Sequence, residues 1–516
     1  MSPIESPTEE SRWTQFTAIL ILVSAALRIL ALAFNPLELY ADETQYWVWS
    51  REFDWGYYSK PPMIAWLIAV STSLFGDTDF AVRLPAPLLN IATLSFLFLA
   101  ARRLWNARTG FWVALTFTTI PAVWMSNAVM STDTPMMAAW AAAFYCLVAL
   151  RTKASWGHAV GLGVAIGLGM LAKYAMIYFV VGTGLSLVLD APARRALLSL
   201  KGVVAAVLGT LILLPNLLWN AAHDFATVSH TAANANWGGN LFHPAELFDF
   251  LSGQLGVFGP ALFVILIGVL YRTLRQRKSV HPDALLLSLF ILPPLLTVSV
   301  QAFISRAHAN WAVSAYLAGS LLVVFFLLQG PRWRRSVLWG SIAAHSVSMI
   351  ALMVIASVPS WTVAAGLSNS TKGVRAWQET ADRISQAAQA DDYTYIVFDN
   401  RNVFHQVQRY GNQPEDTVKM WLRFPGATNH AEQGWPLPEQ FTGDILIVSQ
   451  RSWQEPMFQG DFARIEQIGD ISIALDGNKT RDFTLWRASG HQRVERTSEL
   501  LELWASYDVA YMNRPR

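Results

Sequence analysis

Charge is scarce in this chain: Asp, Glu, Lys and Arg make up 14% of its 516 residues, while 53% are hydrophobic. That balance excludes the two or three soluble domains the length would otherwise suggest, and much of the chain is expected to face lipid. Cysteine is scarcer still. The single Cys146 lies in an apolar run, which excludes an intramolecular disulfide and leaves the redox compartment of any outer domain open. A net charge of +2 gives no reason to expect a nucleic-acid partner. No GxGxxG or P-loop follows a strand-like run, so a nucleotide cofactor is unsupported. The chain also shows neither an internal repeat nor a low-complexity segment.

Apolar runs and tryptophan are what the chain has in quantity. About eleven runs are long enough to cross or nearly cross a bilayer, near residues 14–34, 80–101, 109–127, 133–150, 157–172, 174–190, 202–219, 247–270, 283–304, 309–329 and 336–358. The first is too long for a signal-peptide core and is preceded by Glu5, Glu9 and Glu10 against one Arg. It therefore reads as an uncleaved transmembrane helix despite Ala31-Leu32-Ala33. Basic residues then fall in alternate loops: Arg102, Arg103 and Arg108; Arg151 and Lys153; Arg194, Arg195 and Lys201; Arg272, Arg275, Arg277 and Lys278; Arg332, Arg334 and Arg335. The intervening loops hold few, chiefly Arg51, Lys60, Arg83, Lys173 and Arg306. With the N-terminus in the cytoplasm, this alternation puts Tyr40–Pro62, Ser131–Asp133, the 220–246 loop and Ser305–Trp311 outside.

After residue 358 the character changes. Gly373–Ala390 reads as an amphipathic helix with Val374, Trp377, Ala381 and Ile384 on one face. Tyr393–Phe398 and Ile445–Val448 read as strands, and Ile471–Leu475 with Phe483–Trp486 as a hairpin. The expected division is a membrane part, 1–358, and a small outer α/β domain, 359–516.

Chemistry-bearing side chains concentrate in Tyr40–Pro62, YADETQYWVWSREFDWGYYSKPP. Asp42 with Gln45 has the pattern of a capping box. Carboxylates close to a bilayer, however, tend to face a cavity with a task, and a helix starting here aligns Asp42, Tyr46 and Trp49 along one side. Aromatic rings beside an acid suit a sugar, since rings stack on sugar faces while the acid handles a hydroxyl proton. Lys60 ahead of Pro61-Pro62 reads either as a snorkelling lysine before a proline-started helix or as an ammonium aimed at an anion such as a lipid phosphate, with Tyr57 and Tyr58 as further donors. Asp133 in Ser131-Thr132-Asp133-Thr134-Pro135 reads alone as a helix cap. The topology nevertheless sets it at the membrane depth of Asp42, where two carboxylates can share acid/base or metal work. The loop Trp219–Asn240 holds His223, Asp224, His230, Asn234 and Asn236 without a basic residue, and histidines so spaced are more often surface residues than ligands. Arg306, His308, Asn310 and Trp311 form one more polar cluster suited to phosphate or sugar.

The stretch DETQYWVWSREFDWGYYSKPPMIAWLIAVSTSLFGDTDFAVRLPAPLL resembles the first outer loop and second helix of the bacterial family-39/83 glycosyltransferases. These are relatives of the protein O-mannosyltransferases and of the aminoarabinose transferase acting on lipid A. STDTPMM, LAKYAMIYF and LPNLLWNAAHDFATVSH are similar to later family motifs; the likeness is good through residue 240, fainter to helix eleven and absent beyond. The resemblance implies an α-helical polytopic membrane protein of the C-type glycosyltransferase fold. It further implies a polyprenyl-phosphate-linked sugar donor, a lipid or glycan acceptor and inverting transfer on the periplasmic face of the bacterial inner membrane. Carried over by position, Asp42 is the acceptor-activating carboxylate, Glu43 supports it, Asp133 is the second acid and Lys60 holds the donor phosphate. Apart from that carry-over, the residues themselves make Tyr57, Tyr58 and Arg306 candidates to join Lys60 at the phosphate, and His230, His308 and Asn310 candidates to contact substrate. The aminoarabinose branch has an acidic residue just before this lysine where the present chain has Ser59, which weakens transfer of that branch's metal site and leaves a divalent metal open. In motif form the chain is closer to the galacturonosyl transferases of lipopolysaccharide.

Three rivals make different expectations. A protein O-mannosyltransferase-like enzyme shares the donor chemistry but not the acceptor. A secondary transporter places its polar groups near the midplane in broken helices, often in repeated halves, whereas the candidates here gather on the outer side. A non-catalytic envelope assembly protein would be indifferent to alanine at Asp42 and Lys60.

Overall fold

The structure, a computed structural model, describes residues 6–237, 241–276, 280–476 and 479–512. Two compact units divide the chain: Met1–Asn35 with Phe53–Met353, and Pro36–Glu52 with Val354–Arg516. The stretch Tyr40–Pro62 is therefore shared between them. Arg277 and Lys278 lie outside the described residues, as does Asn240.

The first unit is helical. Among the described residues of the whole chain, six helices are long and apolar enough to span a bilayer: Pro7–Ala33, Asp79–Leu104, Asp133–Thr152, Leu200–Ala222, Pro282–Ile304 and Arg332–Ser357. Shorter apolar helices are Met63–Phe75, Trp156–Ala172 and Ala315–Leu328. The apolar run 247–270 is bent by 113° between Pro244–Phe258 and Pro260–Arg275, where Gly259 has φ 97° and Pro260 starts the next helix. A second bend, of 111°, separates Tyr174–Leu189 from Ala191–Leu197. Asp190 caps the latter by accepting from the Ala193 N–H at 2.7 Å, and Arg151 donates to both Asp190 oxygens at 3.0 and 2.8 Å and to Asp283 at 3.1 Å. The run 109–127 is likewise two helices, Ala107–Thr119 and Pro121–Ala128, because Pro121 cannot continue the ladder.

Two helices of this unit pack unusually closely. A Cβ on Gly163 would sit 2.5 Å from the Ala205 carbonyl, and one on Gly167 would sit 2.7 Å from Ile212 Cβ. Glycine at these positions lets Trp156–Ala172 and Leu200–Ala222 approach backbone to backbone, as small residues do in membrane bundles. The C-terminal ends of both helices carry site candidates.

The second unit is built on a five-stranded sheet: β1 (Tyr395–Phe398), β2 (Val418–Met420), β3 (Gln440–Ser449), β4 (Phe462–Asp476) and β5 (Lys479–Gln492), in the order β2-β1-β3-β5-β4. The first three strands are parallel; β5 is antiparallel to β3 and pairs with β4 in a hairpin. Strand alternation divides the core. Ile396, Phe398, Leu446 and Val448 meet Ile384, Phe404 and Val407 on one face, while Val397, Ile445 and Ile447 meet Phe458 and Trp504 on the other. The expected helix over 373–390 is Trp377–Gln389, later than the periodicity suggests, because Ala376 takes a left-handed φ of 56°. Val374 belongs instead to a short 3-10 turn.

Candidate functional site

In the first unit the DWGYYSKPP half of the opening motif is held by side chains from far along the chain. The Trp219 indole N–H donates to Asp54 Oδ2 at 2.7 Å, and the Trp66 indole donates to the Asp54 carbonyl at 3.0 Å. Asn216 Nδ2 donates to the Trp55 carbonyl at 2.7 Å and Thr227 Oγ1 to the Tyr57 carbonyl at 2.7 Å. Gly56 lies against the Trp219 ring, where a Cβ would be 2.4 Å from Cε3; no side chain fits. The Tyr57 N–H donates to the Lys60 carbonyl at 3.1 Å and closes a tight turn, after which Pro61 and Pro62 lead into Met63–Phe75. Lys60 is thus half-buried at a fixed point of backbone, Tyr57 is buried, and the Tyr58 ring meets the His230 ring at 5.7 Å.

A second group joins the start of Asp133–Thr152 to the end of Trp156–Ala172. Lys173 Nζ lies 2.7 Å from Asp133 Oδ1, with both side chains largely buried. The next residue, Tyr174, donates to Asn216 Oδ1 at 2.7 Å and accepts from Asn220 Nδ2 at 3.0 Å. Asn216 is the residue that holds Trp55. A continuous polar path therefore runs from Asp133 through Lys173-Tyr174 and Asn216 to the turn carrying Lys60.

The third cluster sits at the far end of the helix Ala226–Ala235, whose near end holds Tyr57 through Thr227. Gln301 Nε2 donates to the carbonyls of Ala235 and Arg306, the Trp237 indole donates to Gln301, and Ser305 donates to the Asn236 carbonyl. Arg306, His308 and Asn310 are exposed on this fixed segment, and His308 meets Trp311 edge to face. The helix begins after Asp224 and Phe225 and ends at Asn236, all three left-handed at φ 50–54°, a concentration of strained backbone more typical of functional segments than of connectors.

Asp42 and Glu43 belong to the other unit, on the helix Ala41–Trp49. The capping pattern is not Asp42 with Gln45. Tyr40 is the cap, and its N–H donates to Glu43 Oε2 at 2.9 Å, so the helix starts earlier than the Asp42 pattern implies, at Ala41, and Glu43 is buried. Asp42 is exposed in the first turn, while Tyr46 and Trp49 are buried with rings 5.4 Å apart. Around this helix, burial pushes His430, 5.5 Å from the Trp49 ring, down to about 4, and pushes His405 down to about 3 with neighbouring His430 adding to it. Both imidazoles are neutral at physiological pH.

Lys173, Tyr174, Asn216 and the Asp54–Trp219 pair escape a reading by sequence. One signal was available: Lys173 is among the few cations in the loops expected outside, yet sits at a helix break. Among the described residues no three His, Cys, Asp or Glu side chains gather so as to hold a metal ion.

Residues 59–219, which include Lys60, Asp133, Lys173, Asn216 and Trp219, match the family of dolichyl-phosphate-mannose-protein mannosyltransferases. The lipid A galacturonosyltransferase RgtD of Rhizobium johnstonii is 30% identical over 438 residues, 84% of this chain and 90% of that protein. An undecaprenyl phosphate-alpha-4-amino-4-deoxy-L-arabinose arabinosyl transferase of Serratia proteamaculans is 29% identical over 307 residues, 55% of this chain and 54% of its own length. ArnT from Cupriavidus metallidurans, solved bound to undecaprenyl phosphate, superposes with a TM-score of 0.64 at 16% identity, covering 92% of this chain and 98% of that one.

Proposed function

The chain belongs to the bacterial family-39/83 glycosyltransferases, and we propose that it moves a sugar from a polyprenyl-phosphate donor to lipid A or the adjoining lipopolysaccharide core. It is a multi-pass membrane enzyme with the C-type glycosyltransferase fold. The acceptor reading rests on one observation, the 30% identity spread over 90% of a lipid A galacturonosyltransferase. The mannosyltransferase family match covers only residues 59–219, so a protein acceptor is the second reading. The same relative makes a uronic acid the first sugar to test. Basic residues in alternate loops support transfer on the periplasmic face of the inner membrane, with residues 359–516 and Pro36–Glu52 on that side.

In the proposed reaction an acceptor oxygen attacks the anomeric carbon, the bond from that carbon to the phosphate oxygen breaks, and the configuration inverts. Polyprenyl phosphate leaves as a monoester with one more negative charge than it had as a diester. A cation that binds this charge more strongly as it develops lowers the barrier. Lys60 takes that role, with Tyr57, Tyr58 and Arg306 as further donors to the phosphate. Asp42, the exposed carboxylate of its pair, accepts the proton of an attacking hydroxyl, a contribution of roughly 10²–10⁴-fold. Glu43 is engaged at the helix start and serves by holding Asp42's turn. Asp133 is charge-neutralised by Lys173 and acts as its positioning partner. His230, His308 and Asn310 supply sugar contacts. No step is routed through a metal.

Envelope-lipid mass spectrometry of a deletion strain, complemented with the wild type and with Asp42→Asn, tests this reading. Loss of a uronate-, hexose- or pentosamine-sized mass from lipid A or core, restored by the wild type alone, is the expected result. An unchanged lipopolysaccharide with a change confined to protein glycans would move the acceptor to protein, and no lost mass anywhere would end the transferase reading.

A further inference from the structure

The segment that carries Asp42 is fastened to the C-terminal part of the chain by a carboxylate outside the motif. Glu38 Oε2 accepts the Trp377 N–H at 2.5 Å and Oε1 accepts the Gln378 N–H at 2.9 Å, so one side chain takes two of the orphan donors at the start of the 13-residue helix Trp377–Gln389. The receptor is built for it. Ala376 adopts φ 56°, a conformation unfavourable for alanine, which turns these two N–H groups out of the preceding turn. Arg481 holds that turn from behind, donating to the carbonyls of Lys372, Arg375 and Ala376 while its guanidinium stacks 3.6 Å from the Trp377 ring centre.

The attachment continues toward the acid pair. The Glu38 N–H donates to the Val374 carbonyl at 3.1 Å. Both backbone groups of Leu39 are taken: its N–H donates to the Tyr410 hydroxyl at 2.7 Å and its carbonyl accepts from Gln406 at 3.0 Å. Further on, the guanidinium groups of Arg51 and Arg409 both lie over the Trp47 ring, at 4.4 and 4.7 Å. The helix Ala41–Trp49 is therefore gripped at both ends, and Asp42 follows the latch by four residues.

We propose that Glu38 is a positioning residue for transfer: its carboxylate, docked on the start of Trp377–Gln389, sets the register and orientation of the turn that presents Asp42. The C-terminal unit then serves as the frame of the acceptor-activating acid. This role rests on Asp42 being that acid.

The test has two readouts on the full-length protein. The first is hydrogen exchange of detergent-purified wild type, Glu38→Ala and Glu38→Gln. Exchange in residues 36–52 should accelerate at least tenfold in E38A, with β1, β3 and the hairpin unchanged; a merely structural role would loosen those strands too. The second is transfer in the complemented deletion strain, as modified lipid per unit of enzyme in the membrane. E38A should fall at least tenfold and E38Q, which keeps one of the two hydrogen bonds, should fall between it and wild type. Unchanged exchange at 36–52, global loosening, or accelerated exchange with full transfer would overturn the proposal. D42N run in parallel separates the failures. If D42N is inactive while E38A is fully active, only the latch is wrong; if D42N is fully active, the assignment of Asp42 falls and the proposed role of Glu38 with it.

Discussion

The Lys173 ammonium, at the extended break after Trp156–Ala172, and the Asp133 carboxylate, at the start of Asp133–Thr152, stand 2.7 Å apart. Removing either partner leaves the other charge largely buried and uncompensated, which costs more than the pair contributes. D133N and K173M should each lower the melting temperature in detergent. The D133N/K173M double variant should lose less than the sum of the two, by a coupling of roughly 0.5–3 kcal/mol. Strict additivity in melting curves would show that the two do not act as a pair.

Gly56→Ala tests the seat of the Lys60 turn. The added methyl would lie 2.4 Å from the Trp219 ring, so either the indole or the turn must move, and with it the bond from Trp219 to Asp54. Transfer should fall at least tenfold while the amount of enzyme in the membrane stays near wild type. A G56A enzyme with full transfer would mean that the turn's backbone position is not critical.

Arg151 neutralises Asp190 and Asp283, with each of the three side chains about nine-tenths buried. R151M strips two buried carboxylates of their cation. The expected destabilisation is about 3–5 kcal/mol, read as a fall in the detergent melting temperature. The double substitution D190N/D283N on the R151M background should recover part of it.

Acid should loosen the second unit through its buried histidines. Folded His405 and His430 are pushed down to about 3 and about 4, below the ordinary unfolded value near 6.5. The unfolded chain therefore takes up protons first as pH falls. Stability is complete above the unfolded pKa and is lost progressively from about pH 6.5 down toward the folded values, by at most about 1.4 kcal/mol per pH unit per histidine. The exchange rate of β1 and β3 divided by the intrinsic amide rate at each pH should rise as pH falls below about 6.5, and H405N should flatten that dependence.

The spans were readable because a long apolar run has few other uses, and the hairpin because Phe483–Trp486 alternates against Ile471–Leu475. Breaks inside the runs were marked by Pro121 and by Gly259-Pro260, signals that hydropathy averages away. Partnership was harder. Asp54 bonds across 165 residues to Trp219, and Lys173 across 40 to Asp133; nothing in either local pattern names its mate. Contiguity does not mean a single unit: Asp42 and Lys60 share one motif, yet the chain passes from one unit to the other between Glu52 and Phe53. Glu38 carried no signal beyond a lone acid before a known motif.

Glu38 and Trp377 are separated by 339 residues, and this spacing has a consequence for how the protein is made. At roughly 5–20 residues per second, the first segment leaves the ribosome on the order of half a minute before the helix that receives it. Closing so long a loop costs on the order of 5 kcal/mol, hardly more than a loop half as long, so distance alone is no obstacle. Timing is. Every nascent chain carries its acid pair unanchored until translation is well advanced, and a chain ended early by a nonsense codon or a protease never anchors it. With Glu38 in its proposed role, release of a competent transferase is tied to synthesis of the chain through Trp377–Gln389.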